Sequence, residues 1–356
     1  MIDLTTTEID IVKAKSSKLE QVDFNNLNFG RSFTDHMFIC DYENGQWQQP
    51  KIRPYQAMSI DPSARVFHYG QAVFEGMKAY KDENGKVFLF RPEENFKRIN
   101  KSAARLAIPE FPKEYFFNGL EELLKLDNAW IKSGKGNSLY IRPFVIATEP
   151  AISASPAEAY RFMIICSPAK AYYSGKVRVL FAEKYSRSAD GGVGFAKAAG
   201  NYAAQFYPTN LAQEKGYQQI IWTDANTHEY LEEAGTMNIF FRIGDKLLTA
   251  PTNDRILDGI TRKSVIQLAK DNGIDVEIRP IKVAEIKEAA KSGALKEIFG
   301  SGTAAVISPI SAFEHAEEVY EIPDIKNSYA DFFKETLLNI QHNISEDIYQ
   351  WRYEIN

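Results

Sequence analysis

Residues 191–204 read GGVGFAKAAGNYAA and set a single lysine, Lys197, among Phe195, Ala196, Ala198 and Ala199, with Tyr202 close behind. Lysines usually occupy solvated, charge-rich surfaces. Enclosure by small apolar residues disfavours the charged ammonium, which is how a lysine becomes a nucleophile for carbonyl groups. The ordinary alternative is a lysine that snorkels to water beside a glycine-rich loop. Upstream of it, a linker at residues 167–176 divides the chain into two textures.

Before it, short strand-like runs alternate with turns. HMFICDYE, KIRPYQAMSI, RVFHYGQAVFEGMKAY and VFLFR are separated by Glu43-Asn44-Gly45 and by Asp82-Glu83-Asn84-Gly85, both hairpin signals. The first 30 residues or so read as an irregular or partly extended arm. Pro92 opens a helix with Phe96, Ile99, Ala103 and Leu106 on one face. A second helix is expected from Lys113 to Ser133, burying Phe116, Leu120, Leu123 and Leu124, and two strands follow, SLYIRPFVIAT and YRFMIICS. Hairpins followed by helices predict an α+β unit over residues 1–168. SPAKAYYSGK then reads as a linker, with an interdomain loop at 169–178.

The remainder, 179–356, predicts a larger mixed-sheet unit. VRVLFA, YQQIIWT, TMNIFFRI, KLLTA, VEIRPI and EIFGSGTAAVIS read as strands. Helices are expected from Asn201 to Lys215, with a kink at Pro208, over GITRKSVIQLAKDNG ending at Gly273, near 284–291, and as an amphipathic C-terminal segment.

The chain has 356 residues, a formal net charge of -5, 44% hydrophobic and 25% charged residues, which describes an ordinary globular protein of about two domains. The negative balance argues against nucleic acid or anionic membranes as general partners. Cys40 and Cys166 have no metal-ligand or disulfide spacing, and the five histidines form no HExxH motif, so no metal is expected. The absence of a signal-like N-terminus and of a long apolar run gives the expectation of a soluble, cytoplasmic protein. GGVGFAK lacks the GK[ST] end of a P-loop, no strand–GxGxxG–helix unit appears, and a G-x-S-x-G elbow is missing.

Five further pieces bear chemistry when set beside Lys197. In LEEAGTMNIF, a carboxylate of Glu232 or Glu233 would suit the protonated ring nitrogen of an electron-sink cofactor. It would equally suit a solvated turn. In LDGITRKS, Ile260 and Thr261 stand at a helix start whose N–H groups favour phosphate, or form an ordinary cap. Gly300 and Gly302 of FGSGTAAV allow close backbone approach to an anion near Ser301 and Thr303, or mark a strand bulge. Arg91 presents a fork that matches phosphate oxygens, although most such arginines are merely solvated. In YIRP, Tyr140 and Arg142 share one strand face and would receive a carboxylate, or pair at the surface.

Taken in order, FTDHMF, HYGQAVFEGMKAY, LFRP, YIRP, GVGFAKAAGNYAA, LEEAGTMNIF, LDGIT and FGSGTA resemble the branched-chain amino-acid aminotransferases, which are fold-type IV pyridoxal-phosphate enzymes. The resemblance runs from about Phe29 to Ala304. It implies a two-domain fold, a smaller N-terminal α+β domain and a larger C-terminal α/β-type mixed-sheet domain with the active site between them. It implies ping-pong transfer of the amino group of L-leucine, L-isoleucine or L-valine to 2-oxoglutarate.

Lys197 would be the catalytic residue and bear the Schiff base with pyridoxal 5'-phosphate. Tyr202 would bond the cofactor's ring oxygen. Glu233, directly before Ala234-Gly235-Thr236-Met237-Asn238, would face the pyridine nitrogen. Arg91, Ile260, Thr261 and Thr303 would hold the phosphate, with Thr236 also at the cofactor and Leu257 packed on the ring. Phe29, Tyr69, Phe74, Tyr140, Arg142, Thr236, Thr303 and Ala304 would bind substrate. A homodimer is implied, with Tyr69 and the Ile152–Ala154 loop reaching the neighbouring subunit. Some members carry a redox-active CxxC pair after the GTA turn. Ala305 and Ser308 stand there in this chain, so no thiol switch is expected. The competing readings are a D-amino-acid aminotransferase or a lyase of the same fold type, a cofactor carrier without turnover, and a plain structural protein.

Overall fold

The computed structural model describes residues 8–170, 175 and 177–355. Half of the residues expected to link the domains, 171–174 and 176, lie outside the described residues. The described chain divides into two compact units. One combines residues 8–170 with Ala196–Ala199 and residues 339–355, and the other combines residues 177–195 with Gly200–Leu338.

The first unit is built on one sheet, mostly antiparallel. Its strands run Asp10–Ile11, Lys51–Pro54, His36–Glu43, Tyr160–Ala169, Ser138–Ala147, Met77–Lys81, Val87–Phe90 and Arg352–Ile355, with Gln46–Trp47 and Ala72–Phe74 attached. The Asn44-Gly45 turn takes positive φ at both residues, 54° and 80°, which asparagine and glycine tolerate and a tight hairpin requires. Helices Pro92–Arg105 and Lys113–Leu126 belong to the same unit. Phe116, Leu120, Leu123 and Leu124 are buried, and Gly119 lies so close to the Phe38 ring that a Cβ would stand 2.4 Å from it. Phe111 and Phe162 stack at 3.7 Å between centroids in the centre of this core.

The second unit is a mixed sheet that closes on itself. Asn238–Ile243, Leu295–Gly302, Val306–His315, Val177–Phe181, Gln219–Thr223 and Tyr230–Ala234 follow one another, and the Glu233–Asn238 pairing joins the last to the first. Val177–Phe181 runs parallel to both its neighbours, while the hairpins are antiparallel. Stacked Phe181, Phe313 and Tyr320 help to fill the interior, with centroid separations of 4.4 and 4.6 Å. Among the described residues, no helix is long and apolar enough to cross a membrane.

Several expectations from sequence need correction. RVFHY is a short helix, Arg65–Tyr69, closed by Gly70 at φ 61°. The buried Arg65 guanidinium sets that turn by donating to Ser155, Ser153, Pro156 and Glu149. The helix expected to reach Ser133 stops at Leu126, because the Asp127 carboxylate is drawn to the backbone and ring of His36. Ser167–Ala169 complete a ten-residue strand opposite Ser138–Tyr140. The helix expected from Asn201 begins two residues earlier, at Ala199, and runs to Glu214 with Pro208 inside it. The chain does not finish on an amphipathic helix: after Tyr329–Gln341 it returns as strand Arg352–Ile355 beside Val87–Phe90. Residues 339–355 therefore group with the first unit and not with the remainder of the expected 179–356 domain.

Candidate active site

Lys197 lies in an extended segment just before helix Ala199–Glu214 and is packed within the first unit. Its N–H donates to Ser102 Oγ at 2.9 Å, and its carbonyl accepts the Phe74 N–H at 3.0 Å. Ala198 bridges to Val73, so the lysine segment extends the edge of Ala72–Phe74. Ala196 and Ala198 are buried, as their size allows, while Lys197 is half-buried with its Nζ 4.8 Å from the Phe74 ring centre.

Glu75 follows Phe74 and is buried. It accepts from Arg98 Nε at 2.6 Å, Asn95 Nδ2 at 2.7 Å and the Gly76 N–H at 3.0 Å. Burial works to raise its pKa, but Arg98, joined by the Lys197 charge and Asn95, holds the carboxyl below the usual range. The amine of Lys197 therefore sits in the field of the Glu75 carboxylate. Sequence reasoning missed Glu75, Asn95, Arg98 and Ser102. The available signal was a carboxylate inside the apolar run AVFEGMKAY, since buried carboxylates are rare unless paired.

The expected substrate residues of this unit converge on Tyr140. Arg142 Nη2 donates to its hydroxyl at 2.9 Å, and the guanidinium lies 4.6 Å from the Phe74 centroid and 5.2 Å from that of Tyr140. Phe29 meets Tyr140 edge-on at 4.9 Å. Gly76 permits this, because a Cβ there would stand 2.1 Å from the Tyr140 hydroxyl. Phe29, Phe74, Tyr140, Arg142 and Lys197 thus form one cluster. Arg91 stands at the start of helix Pro92–Arg105 in the left-handed region, φ 50°, with its guanidinium 5.1 Å from the Trp351 ring centre. Tyr69 is exposed and donates its hydroxyl to the carbonyl of Ile152, also exposed.

In the second unit Glu233 sits where the ring of strands closes, opposite Asn238. It is only 4% exposed. Oε1 accepts the Leu257 N–H at 3.0 Å and lies 2.9 Å from Arg187 Nη1, and Oε2 accepts Asn238 Nδ2 at 3.0 Å. Asn238 also donates to the Leu257 carbonyl at 2.9 Å, so one amide ties the carboxylate to the 253–259 loop.

Glu232 is also buried, which removes the solvated-turn reading for both glutamates. Arg255 Nε lies 2.5 Å from its Oε1 without the alignment of a hydrogen bond. Burial, only partly opposed by Arg255, pushes the Glu232 carboxyl up to about 7. Arg187, Arg255 and Asp190, which accepts from Arg255 Nη1 at 2.6 Å, were not foreseen. They lie in polar loops whose composition resembles any solvated surface.

The other expected cofactor residues of this unit gather nearby. Gly259 approaches Asn238 so closely that a Cβ would meet its Oδ1 at 1.9 Å. Helix Ile260–Asp271 then begins without a side-chain cap, and its first intrahelical bond is from the Lys263 N–H to the Gly259 carbonyl. The early N–H groups of Ile260 and Thr261 therefore carry the positive end of the helix dipole. Asn238 pairs with Ser301, and a Cβ on Gly302 would lie 3.1 Å from the Thr236 carbonyl, which brings Thr236 beside the strand end that leads to Thr303 and Ala304. Tyr202 is half-buried in the first turns of helix Ala199–Glu214.

The family model for amino-transferase class IV matches residues 72–313. Branched-chain-amino-acid aminotransferase 2 of Bacillus subtilis (strain 168) is 44% identical over 349 residues, covering 97% of this chain and 96% of that protein. A probable branched-chain-amino-acid aminotransferase of Staphylococcus epidermidis is 45% identical over 347 residues, covering 96% and 97%. Among solved structures, the branched-chain aminotransferase of Thermoproteus uzoniensis with norvaline superposes with TM-score 0.75 at 24% identity, over 90% of this chain and 100% of that one. The branched-chain amino acid aminotransferase of Escherichia coli gives 0.72 at 24% identity, over 90% and 99%. These last two likenesses show the fold. Near-complete coverage at more than 40% identity shows more than fold: the chain belongs to the class IV aminotransferases, among the branched-chain-amino-acid aminotransferases of that family.

Proposed function

We propose that this protein transfers the amino group of L-leucine, L-isoleucine or L-valine to 2-oxoglutarate, reversibly, giving the branched-chain 2-oxo acid and L-glutamate, with pyridoxal 5'-phosphate as carrier. The near-full-length identity to branched-chain aminotransferases carries this reading. The residues present suit the cofactor. A half-buried lysine, a buried and braced carboxylate and an uncapped helix start supply an amine, a partner for a pyridinium and a phosphate cradle.

Lys197 would hold the cofactor covalently, Tyr202 its ring oxygen and Glu233 its ring nitrogen. Arg91, Ile260, Thr261 and Thr303 would hold the phosphate, with Thr236 beside them and Leu257 against the ring. When bound, pyridoxal phosphate supplies an electron sink for the substrate α-carbon. Lys197 Nζ takes up the α-proton and later returns it. The Glu75 carboxylate stabilises the ammonium that Lys197 becomes in between. Arg187, Asn238 and the Leu257 N–H keep Glu233 in place. Arg142 and Tyr140 would receive the substrate carboxylate, and Phe29, Phe74, Thr303 and Ala304 would enclose its side chain. The exposed Phe67, Tyr69 and Ile152 offer an apolar face for a second copy, in keeping with a homodimer.

An absorbance scan of the purified protein before and after adding L-leucine tests the reading. A visible band that shifts on addition, followed by glutamate formation with 2-oxoglutarate, is the expected result. Absence of a band, or turnover of D-alanine alone, overturns it.

A further inference from the structure

The segment from Ser17 to Asp35 is a loop whose ends are drawn together by one buried carboxylate. Asp35 accepts the Ser17 hydroxyl at 2.6 Å, the Lys18 N–H at 2.8 Å and Trp130 Nε1 at 2.8 Å. Its neighbour His36 accepts the Ala14 N–H on Nε2 at 2.9 Å, which leaves Nδ1 to donate to Asp127 at 2.6 Å. Asp35, His36 and Asp127 are all buried, whereas Ser17 and Lys18 are exposed. The frame behind them is rigid. The Thr34 N–H donates to the Cys166 carbonyl, the Tyr55 N–H to the Asp35 carbonyl, and His36 pairs with Pro54.

Inside the loop, Leu19, Val22 and Phe24 pack on the core, and Phe33 stacks on Tyr55 at 4.9 Å. Between these anchors the chain is exposed, turns at Gly30 with φ 70°, and presents Phe29 to the ring of Tyr140. A surface loop held this tightly at its base gains little stability from the ordering of its tip, since ordering a residue costs conformational entropy. The value of the clasp lies in where the tip is held.

We propose that Asp35, with Ser17 as its partner and His36 beside it, is a positioning residue that fixes Phe29 and thereby sets the size of substrate side chain accepted. This rests on the reading that Phe29 and Tyr140 line the substrate site. Loosening the clasp leaves the reacting groups untouched and lets the Phe29 wall shift. Affinity for the larger branched side chain then changes more than that for the smaller, while the maximal rate is retained.

The test compares Ser17→Ala, Ser17→Thr, Asp35→Asn and Phe29→Ala with the parent enzyme on L-leucine and L-valine, together with limited proteolysis between residues 18 and 34. Ser17→Ala removes one exposed partner and leaves the core intact, so it carries the test should Asp35→Asn fail to fold. Loss of one such charge-assisted bond is expected to change the leucine-to-valine ratio of kcat/KM by roughly three- to tenfold through KM. The loop is expected to be cut faster, and Ser17→Thr to restore both properties. An unchanged ratio in Ser17→Ala and Asp35→Asn, or an equal fall of kcat for both substrates, overturns the proposal. If Phe29→Ala itself leaves the ratio unchanged, Phe29 is not in the substrate site and both readings fall. If only Phe29→Ala changes it, the clasp alone is refuted.

Discussion

Around Lys197 the main chain is pinned at both its N–H and its carbonyl, and the half-buried amine lies over an aromatic face. Around Glu233 it is the side chain that is tied, with both oxygens engaged and almost no exposure. A lysine proposed to change partners during turnover needs a fixed main-chain origin. A group that only stabilises charge works best when it does not reorganise. The two regions also differ in the charge they use. Glu75 places a carboxylate beside the lysine, whereas Glu233 draws on a guanidinium, an amide and a backbone N–H.

Replacing the moving group breaks this comparison most severely. Lys197→Ala should abolish the visible absorbance band and lower transamination by about 10³-fold or more, the loss of a general base and cofactor tether together. Near-normal turnover would refute the assignment. Replacing the fixed group should cost less: Glu233→Gln is expected to retain the band and slow proton removal by roughly 10²-fold. Single-turnover absorbance with L-leucine separates the two, and a Glu233→Gln protein that reacts at the parental rate would show that the carboxylate is not needed for the electron sink.

Two glycines sharpen the contrast at smaller cost. A Cβ at Gly76 would strike the Tyr140 hydroxyl, and one at Gly259 would strike Asn238 Oδ1. Each alanine variant should lose about 1–3 kcal/mol of stability, as overpacking does. Gly76→Ala should chiefly raise KM for the amino acid, because Tyr140 and Arg142 move. Gly259→Ala should chiefly weaken cofactor retention during dialysis, because Asn238 and the helix start move. The opposite assignment of effects would dissolve the division between a substrate region and a cofactor region.

The smallest expected effect concerns Glu232, whose carboxyl rises from 4.5 to about 7 in the fold. Between those values the folded chain holds a proton that the unfolded chain has released, so stability falls as pH rises through that interval and then levels off. Glu232→Gln should remove this part of the slope. Melting temperatures from pH 5 to pH 8 that run parallel for parent and variant would disprove it.

Much of the architecture was legible because it depends on neighbours in sequence. The Asn44-Gly45 hairpin, the apolar stripe Phe116–Leu124 and the Gly273 helix end all follow from local pattern. Errors arose where a distant partner overrode it. Arg65 wound RVFHY into a helix by reaching residues 149–156, and His36 took Asp127 out of the helix that periodicity would have continued.

The same division applies to chemistry. By itself the sequence determined which groups are present and in what order: the lysine among alanines, the glutamate before AGTMN, the glycines that admit close approach, and the absence of a CxxC pair after GTA. The tertiary structure alone decided which charges face one another. Glu75 beside Lys197, Arg187 on Glu233, the Asp35 clasp on Ser17 and the return of Arg352–Ile355 to the first sheet join residues far apart in the chain. Electrostatic and hydrogen-bond partners act through space, over a few ångströms, and no local spacing rule encodes contacts whose formation depends on the fold having closed around them.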